Sequence, residues 1–270
     1  MVKLVLTDID STIMPEGMLR VPDHVVEAFH DLQDAGIVVG VVTGRGFDWV
    51  PRFFGGDERC CQTMVATNGL QVYLDGEMIH EEHLDPVGLA RVLDLVRDEP
   101  RAGMLCFDGG TPLLVHGTRA DLALAMPSYA PVCVPVDGLP SHPVVKGNVF
   151  AVRDERGTRA LAARLNEAQD AFDFDYPRPG LTNIMPRGRN KGTGIRVLAA
   201  VLGISLDEVV VFGDAGNDLS MFAVVPNSVC VANGTNEAKA AARWHIGSCE
   251  DGAVSQTMFA LARGEWPFTE

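Results

Sequence analysis

The sequence predicts an α/β fold, a parallel sheet with helices on both faces, interrupted by an inserted α+β unit. Short apolar runs such as "IVVGVV" and "VVVFGD" alternate with helical stretches near both ends of the chain. Continuous apolar strands of this kind suit a parallel sheet covered on both faces. Between them the texture changes to hairpins, Pro-rich connections and strands of mixed polarity. The reading places residues 1–81 and 187–270 in one discontinuous domain and 82–186 in the other.

Val2–Leu6 reads as the first strand. In "VPDHVVEAFHDLQDAG", Val25, Phe29, Leu32 and Ala35 recur at helical spacing, with Pro22 and Asp23 at the start and Gly36 at the stop. "IVVGVVTGR" (37–45) is a second strand, a short helix follows from Phe47, and "CCQTMVATNG" reads as a third strand. "LQVYLDGEMIHEE" has the alternation and Asp-Gly turn of a hairpin. The insertion then reads as a helix over about Pro86–Asp98, two strands around "MLCFDGGTPLLVHG" and a helix near Asp121–Tyr129. The strand "VVKGNVFAV" and a helix near Thr158–Asp170 complete it. After "LTNIMPRGRN" come helix Lys191–Leu202, strand "VVVFGD", helix Asp218–Val224, strand "SVCVAN", helix Glu237–Arg243 and a last helix near Gly252–Arg263.

The 22 Lys+Arg against 36 Asp+Glu give a formal charge of -14, which repels phosphate backbones, so neither nucleic acid nor an anionic membrane is an expected partner. No apolar run approaches the roughly 18–20 residues that span a bilayer. The apolar start is too short for a signal-peptide core, so a cytoplasmic location is expected. Cys60, Cys61, Cys106, Cys133, Cys230 and Cys249 form no CxxC pair. They read as buried small hydrophobes rather than a disulfide framework or a zinc site.

Four stretches carry chemistry. "DIDST" places Asp8 and Asp10 two residues apart at a strand end, so both point the same way if the strand persists. Two close carboxylates call for a cation, and a hard dication such as Mg²⁺ takes oxygen ligands; an acidic loop or a helix cap is the plainer alternative. Thr43-Gly44-Arg45 ends the second strand with a hydroxyl and free N–H groups suited to phosphoryl oxygens, or with a simple capping turn. Lys191 opens a helix against the macrodipole preference, which suits a bound anion better than a solvated side chain. In "GDAGND", Asp214 and Asp218 lie one helical turn apart, and a capped helix explains one of them but not both.

In this order the four stretches resemble the haloacid dehalogenase (HAD) superfamily, and with "ATNG" and "NIMPRGRNKGTG" its Cof-type branch with a C2B cap. The resemblance implies a Rossmann-like parallel-sheet core with an inserted α+β cap, and a phosphatase of small phosphorylated metabolites, sugar phosphates above all. It makes Asp8 the nucleophile and Asp10 the general acid and base. Mg²⁺ is then held by Asp8, the Asp10 backbone carbonyl, Asp214 and Asp218, and the phosphoryl oxygens by Thr43, Gly44, Lys191 and Asn217. Arg45 is a candidate for lining the substrate. The cap selects the leaving group, with Arg119, His116, Lys146 and Arg178 as candidate contacts. Ser11 stands where the Cof-type pattern has glycine. A phosphomannomutase-like mutase and a non-catalytic phosphometabolite sensor are the alternatives, and the oligomeric state is open.

Overall fold

In the computed structural model, which describes residues 1–268, Leu4, Val5 and Leu6 are all fully buried. Leu4 and Leu6 pack on one side of the sheet and Val5 on the other, because successive strand side chains alternate. A strand with no solvent face is apolar but for polar groups that find a partner, and burying each of these aliphatic side chains contributes about 1.5–3 kcal/mol.

The chain divides into two units, Met1–Glu81 with Asn190–Glu270, and Glu82–Arg189. The second crossing therefore falls after Arg189 rather than after residue 186, since Arg187 still bonds to Ala171 and Gly188 to Asp173. The first unit begins with β1 (Leu4–Thr7), α1 (Asp23–Asp34), β2 (Val38–Val42), α2 (Val50–Phe53), β3 (Met64–Ala66), β4 (Gln71–Leu74) and β5 (Glu77–Glu81). The second unit holds α3 (Pro86–Arg97), β6 (Ala102–Asp108), β7 (Thr111–His116), α4 (Arg119–Ala125), β8 (Val134–Pro135), β9 (Gly147–Ala151), α5 (Glu155–Ala168), β10 (Phe172–Phe174) and β11 (Leu181–Pro186). The first unit resumes with α6 (Lys191–Leu202), β12 (Val209–Gly213), α7 (Leu219–Val224), β13 (Asn227–Val231), α8 (Asn236–Ala241), β14 (Trp244–Ile246) and α9 (Ala253–Ala262).

The first unit's sheet runs β14-β13-β12-β1-β2-β3-β4-β5, parallel as far as β3 and antiparallel through the β4–β5 hairpin. Val25, Phe29 and Leu32 of α1 join Val5, Val39 and Phe212 on one face, while Ile195 and Leu198 of α6 join Leu4, Leu6 and Val211 on the other. The second unit's sheet runs β10-β11-β9-β6-β7-β8 and is antiparallel except for the β7–β8 pair. No helix among the described residues is long and apolar enough to cross a membrane.

Several elements differ from the sequence reading, and capping explains most of them. Thr118, Asp154 and Thr235 accept N–H bonds from the first turns of α4, α5 and α8, so these helices start earlier than periodicity suggested. Ala35 caps α1 and is exposed rather than buried. "CCQ" is not strand: Glu58–Cys61 forms a 3₁₀ turn capped by Asp57, and β3 starts at Met64. The strands β8, β10 and β14, of two or three residues, are too short to show a period, while β11 is six residues long but mixes Thr182 and Asn183 into its buried run.

Ser11 has φ 62°, in the left-handed region. A side chain there costs about 1–2 kcal/mol, which glycine avoids. Ser11→Gly is expected to stabilise the protein by about 1 kcal/mol, glycine's greater unfolded freedom offsetting part of the gain. The bonds at this position, Ser11 N–H to Met14 and Asn233 Nδ2 to the Ser11 carbonyl, are to backbone and survive the change. A lower urea midpoint for this variant would contradict the strain.

Candidate active site

β1 lies between β2 and β12, the strand neighbours at which connections leave in opposite directions. In open parallel sheets such a switch point opens a crevice at the carboxyl ends of the strands. Asp8, Thr43 and Asp214 are the first residues past β1, β2 and β12. Asp8 still donates its N–H to Phe212 (2.9 Å), but the strand does not persist to Asp10. The Ile9 carbonyl instead accepts N–H bonds from Thr12, Ile13 and Met14, and Ile9 is buried in the core.

The two aspartates therefore take different partners. Asp8 is 7% exposed and accepts a 2.6 Å bond from Lys191 Nζ. Asp10 is exposed and is gripped by Arg45, with Nε to Oδ2 at 3.1 Å and Nη2 to Oδ1 at 2.7 Å. The Arg45 guanidinium also lies over the Phe53 ring (5.2 Å) and, farther off, over Trp49 (6.0 Å).

Lys191 is 1% exposed and bridges Asp8 and Asp218, 2.6 Å to each. It is the first residue of α6, whose start is fixed by a reciprocal cap between Asn190 and Thr193. Close packing buries that first turn. A Cβ on Gly192 would meet the Ser220 carbonyl at 2.3 Å, and one on Gly69 the Asn190 carbonyl at 2.2 Å. Burial pulls the lysine's pKa down, but Asp218 and Asp8 together push it above its ordinary value, so it stays charged.

Asp218 is fully buried and accepts three bonds: Oδ2 takes the N–H groups of Asp214 (2.9 Å) and Ala215 (3.0 Å), and Oδ1 takes Lys191. Asp214 accepts the Thr12 hydroxyl at 2.9 Å. Asp8, Asp214 and Asp218 each offer a carboxylate oxygen, all within 4.8 Å of one another. The Asp10 carboxylate does not belong to this cluster, since Arg45 holds it. Three carboxylates against one ammonium leave excess negative charge in a buried place. An oxygen-only donor set with that charge fits a hard dication.

The same excess shifts the acids. Burial, then Asp218 and Asp214, raise the Asp8 pKa well above the ordinary value despite the opposing Lys191. Burial and Asp218 push Asp214 up to about 7 from 3.8. Between those values the folded chain holds a proton at Asp214 that the unfolded chain has lost, so without metal, stability falls as pH rises from about 4 to about 7. A dication binds the deprotonated acids, so Mg²⁺ is expected to recover most of this loss at pH 8 and little at pH 5. Urea unfolding with EDTA or Mg²⁺ at the two pH values checks it, and equal Mg²⁺ stabilisation at both would contradict it.

Thr43 is 1% exposed; its hydroxyl accepts the Arg45 N–H at 3.1 Å. The turn after β3 supports this loop, with Asn68 N–H on the Thr43 carbonyl and Thr67 N–H on the Arg45 carbonyl, both 2.9 Å. Thr67 and Asn68 both have positive φ, 52° and 53°. Non-glycine residues held there mark functional loops in many proteins. A Cβ on Gly44 would sit 3.1 Å from the Asn68 amide, so glycine leaves this loop tight against it. Asn217 is half-buried in the 3₁₀ turn before α7, and its carbonyl accepts the Ser220 hydroxyl. Thr12, which the sequence marks only as the end of the first motif, and Asn68, which it does not single out, are the supporting residues. Both lie within the quoted stretches, but only their tertiary partners reveal what they do.

The sequence profile of the haloacid dehalogenase-like hydrolases matches residues 5–258, and the chain belongs to this family. Among curated relatives, an HMP-PP phosphatase of Klebsiella pneumoniae is 28% identical over 263 residues, 94% of each chain. Another of Citrobacter koseri is 28% identical over 250 residues, 89% of this chain and 90% of that one. A solved structure of a Streptococcus mutans protein superposes with TM-score 0.87 at 20% identity, covering 97% of this chain and 100% of that one.

Proposed function

We propose that this hydrolase is a Mg²⁺-dependent phosphatase of small phosphorylated metabolites that works through an aspartyl-phosphate on Asp8. The observation that carries the proposal is the convergence of Asp8, Lys191, Asp214 and Asp218, drawn from both ends of the chain, at the β1 switch point. The Asp8 carboxylate attacks phosphorus, the phosphorus–oxygen bond to the leaving group breaks, and Asp10 gives the departing alkoxide its proton. Asp10 then takes a proton from the water that attacks the acyl phosphate, which frees inorganic phosphate and restores Asp8. Lys191, Thr43, the Gly44 N–H and Asn217 bind the phosphoryl oxygens, and Arg45 lines the substrate and exchanges Asp10 for it. Asp8 and Asp214, with Asp218 and the Asp10 carbonyl beside them, hold Mg²⁺, which offsets the charge of a carboxylate approaching a phosphate.

We assign selection of the leaving group to the inserted unit. Among its basic residues, Lys146 lies 3.2 Å from the Tyr129 hydroxyl and 4.6 Å over the Phe107 ring. Arg119 is tied to the Cys133 carbonyl, His116 ends β7, and Arg178 is exposed. Sugar phosphates are the first substrate class, acted on in the cytoplasm; HMP-PP is the second, favoured by the activity for which both relatives are named. Phosphate release from p-nitrophenyl phosphate, a hexose-phosphate panel and HMP-PP, with Mg²⁺ or EDTA, tests the proposal. Mg²⁺-dependent release is expected. Release that EDTA leaves unchanged would refute the metal assignment, and no release from any compound would refute the phosphatase.

A further inference from the structure

We propose a second metal site, distinct in chemistry from the acidic cluster, in which His30, Asp57 and Cys60 bind a transition-metal dication of the Zn²⁺ class. A His30 ring nitrogen, an Asp57 oxygen and the Cys60 sulfur all lie within 4.8 Å of one another. The three come from α1 and from the 3₁₀ turn Glu58–Cys61 with its cap. In a 3₁₀ turn, residues three apart eclipse, which sets Asp57 and Cys60 side by side.

His30 Nε2 supplies the second observation. It is buried and makes no aligned hydrogen bond; its near neighbour Asp57 Oδ2, 3.0 Å away, is an ion-pair partner only when the ring is protonated. Neighbouring ligands about 2.0–2.2 Å from one tetrahedral ion lie roughly 3.3–3.6 Å apart, so the two atoms need to part by only a few tenths of an ångström to share one. The other carboxylate oxygen, Oδ1, is occupied in capping the turn through the Arg59 N–H (3.0 Å), which leaves Oδ2 for the ion. Further bonds fasten the turn to α1, from Gln33 Nε2 to the Arg59 carbonyl and from Arg59 Nη2 to Asp34, both 2.8 Å. The ligands are thus held by bonds that a metal need not supply.

Donor type selects the ion. Thiolate and imidazole favour Zn²⁺ and its neighbours over Mg²⁺. A thiolate and a carboxylate neutralise a dication, and a water is the fourth ligand that completes the tetrahedron. Burial and Asp57 push the Cys60 thiol up to about 12, so the free protein carries a thiol and metal binding releases its proton to solvent. The site uses one cysteine and no CxxC spacing, which is why cysteine arithmetic passed over it.

The test adds Co²⁺ alone to EDTA-stripped, reduced full-length protein. A thiolate-to-cobalt charge-transfer absorption is expected, lost in Cys60→Ser and retained in Cys61→Ser and Asp214→Asn. His30→Gln and Asp57→Asn should weaken cobalt binding about 10- to 100-fold or more. Zn²⁺ alone should raise the melting temperature of Asp214→Asn, and not of the double variant with His30→Gln. No absorption in the parent protein, or absorption that survives Cys60→Ser, would overturn the proposal. Should Cys60→Ser fail to fold, the half-exposed His30 decides, and unchanged cobalt binding in His30→Gln would overturn it equally.

Discussion

Replacing Lys191 by methionine is expected to destabilise the metal-free protein by about 3–5 kcal/mol, the usual effect of removing one partner from a buried ion pair. The ammonium is 1% exposed and sits 2.6 Å from both Asp8 and Asp218. Methionine fills similar volume but leaves two buried carboxylates without their cation, beside Asp214. Those acids can escape only by taking protons, so the loss should be larger at pH 8 than at pH 5. Mg²⁺ should recover part of it. Urea unfolding at both pH values, with and without Mg²⁺, measures this, and a loss below about 1 kcal/mol would show that the lysine is not paired as described. Turnover should fall about 100- to 1,000-fold as well, the scale of removing one group that stabilises transition-state charge.

Asp8→Asn should lower turnover by about 10⁴-fold or more, because an amide cannot serve as the nucleophile and loss of a nucleophile removes the whole covalent route. The variant should remain folded. Burial raises the Asp8 pKa, so the pocket already disfavours charge at this position, and Lys191 keeps Asp218 as its partner. A folded protein with no turnover is therefore the expected pair of results, read by circular dichroism and phosphate release. More than about 1% residual activity would exclude an obligatory Asp8 intermediate.

The two substitutions separate two properties of one cluster. Lys191 is the counter-charge without which the carboxylates cannot stay together, so its loss appears in stability as well as rate. Asp8 is a reacting group whose charge the fold merely tolerates, so its loss appears in rate. An effect of Asp8→Asn on stability as large as that of Lys191→Met would remove the distinction.

Much of the fold was legible because strands buried on both faces are apolar almost throughout, Thr7 being tolerated because its hydroxyl bonds to the Asp8 carbonyl. The runs at Leu4–Thr7, Val38–Val42 and Val209–Gly213 are therefore visible without knowing their neighbours. Helix starts were less legible, since the Thr118, Asp154 and Thr235 caps depend on one hydrogen bond each rather than on a repeating pattern. The short strands β10 and β14 owe their form to ladders with β11 and β13, a cause that lies elsewhere in the chain.

The site divides in the same way. By itself the sequence determined which residue types end each strand: acids after β1 and β12, a hydroxyl after β2, a lysine at the start of α6. These are local facts of order and composition. Only the tertiary structure decided that Asp8 turns to Lys191 while Asp10 turns to Arg45, that Asp218 spends its oxygens on the turn and the lysine, and that Asn68 supports the Thr43 loop. The physical reason is that a strand's end fixes where a side chain starts, whereas its partner is set by charges and backbone groups up to about two hundred residues away, such as Asp214 beside Thr12.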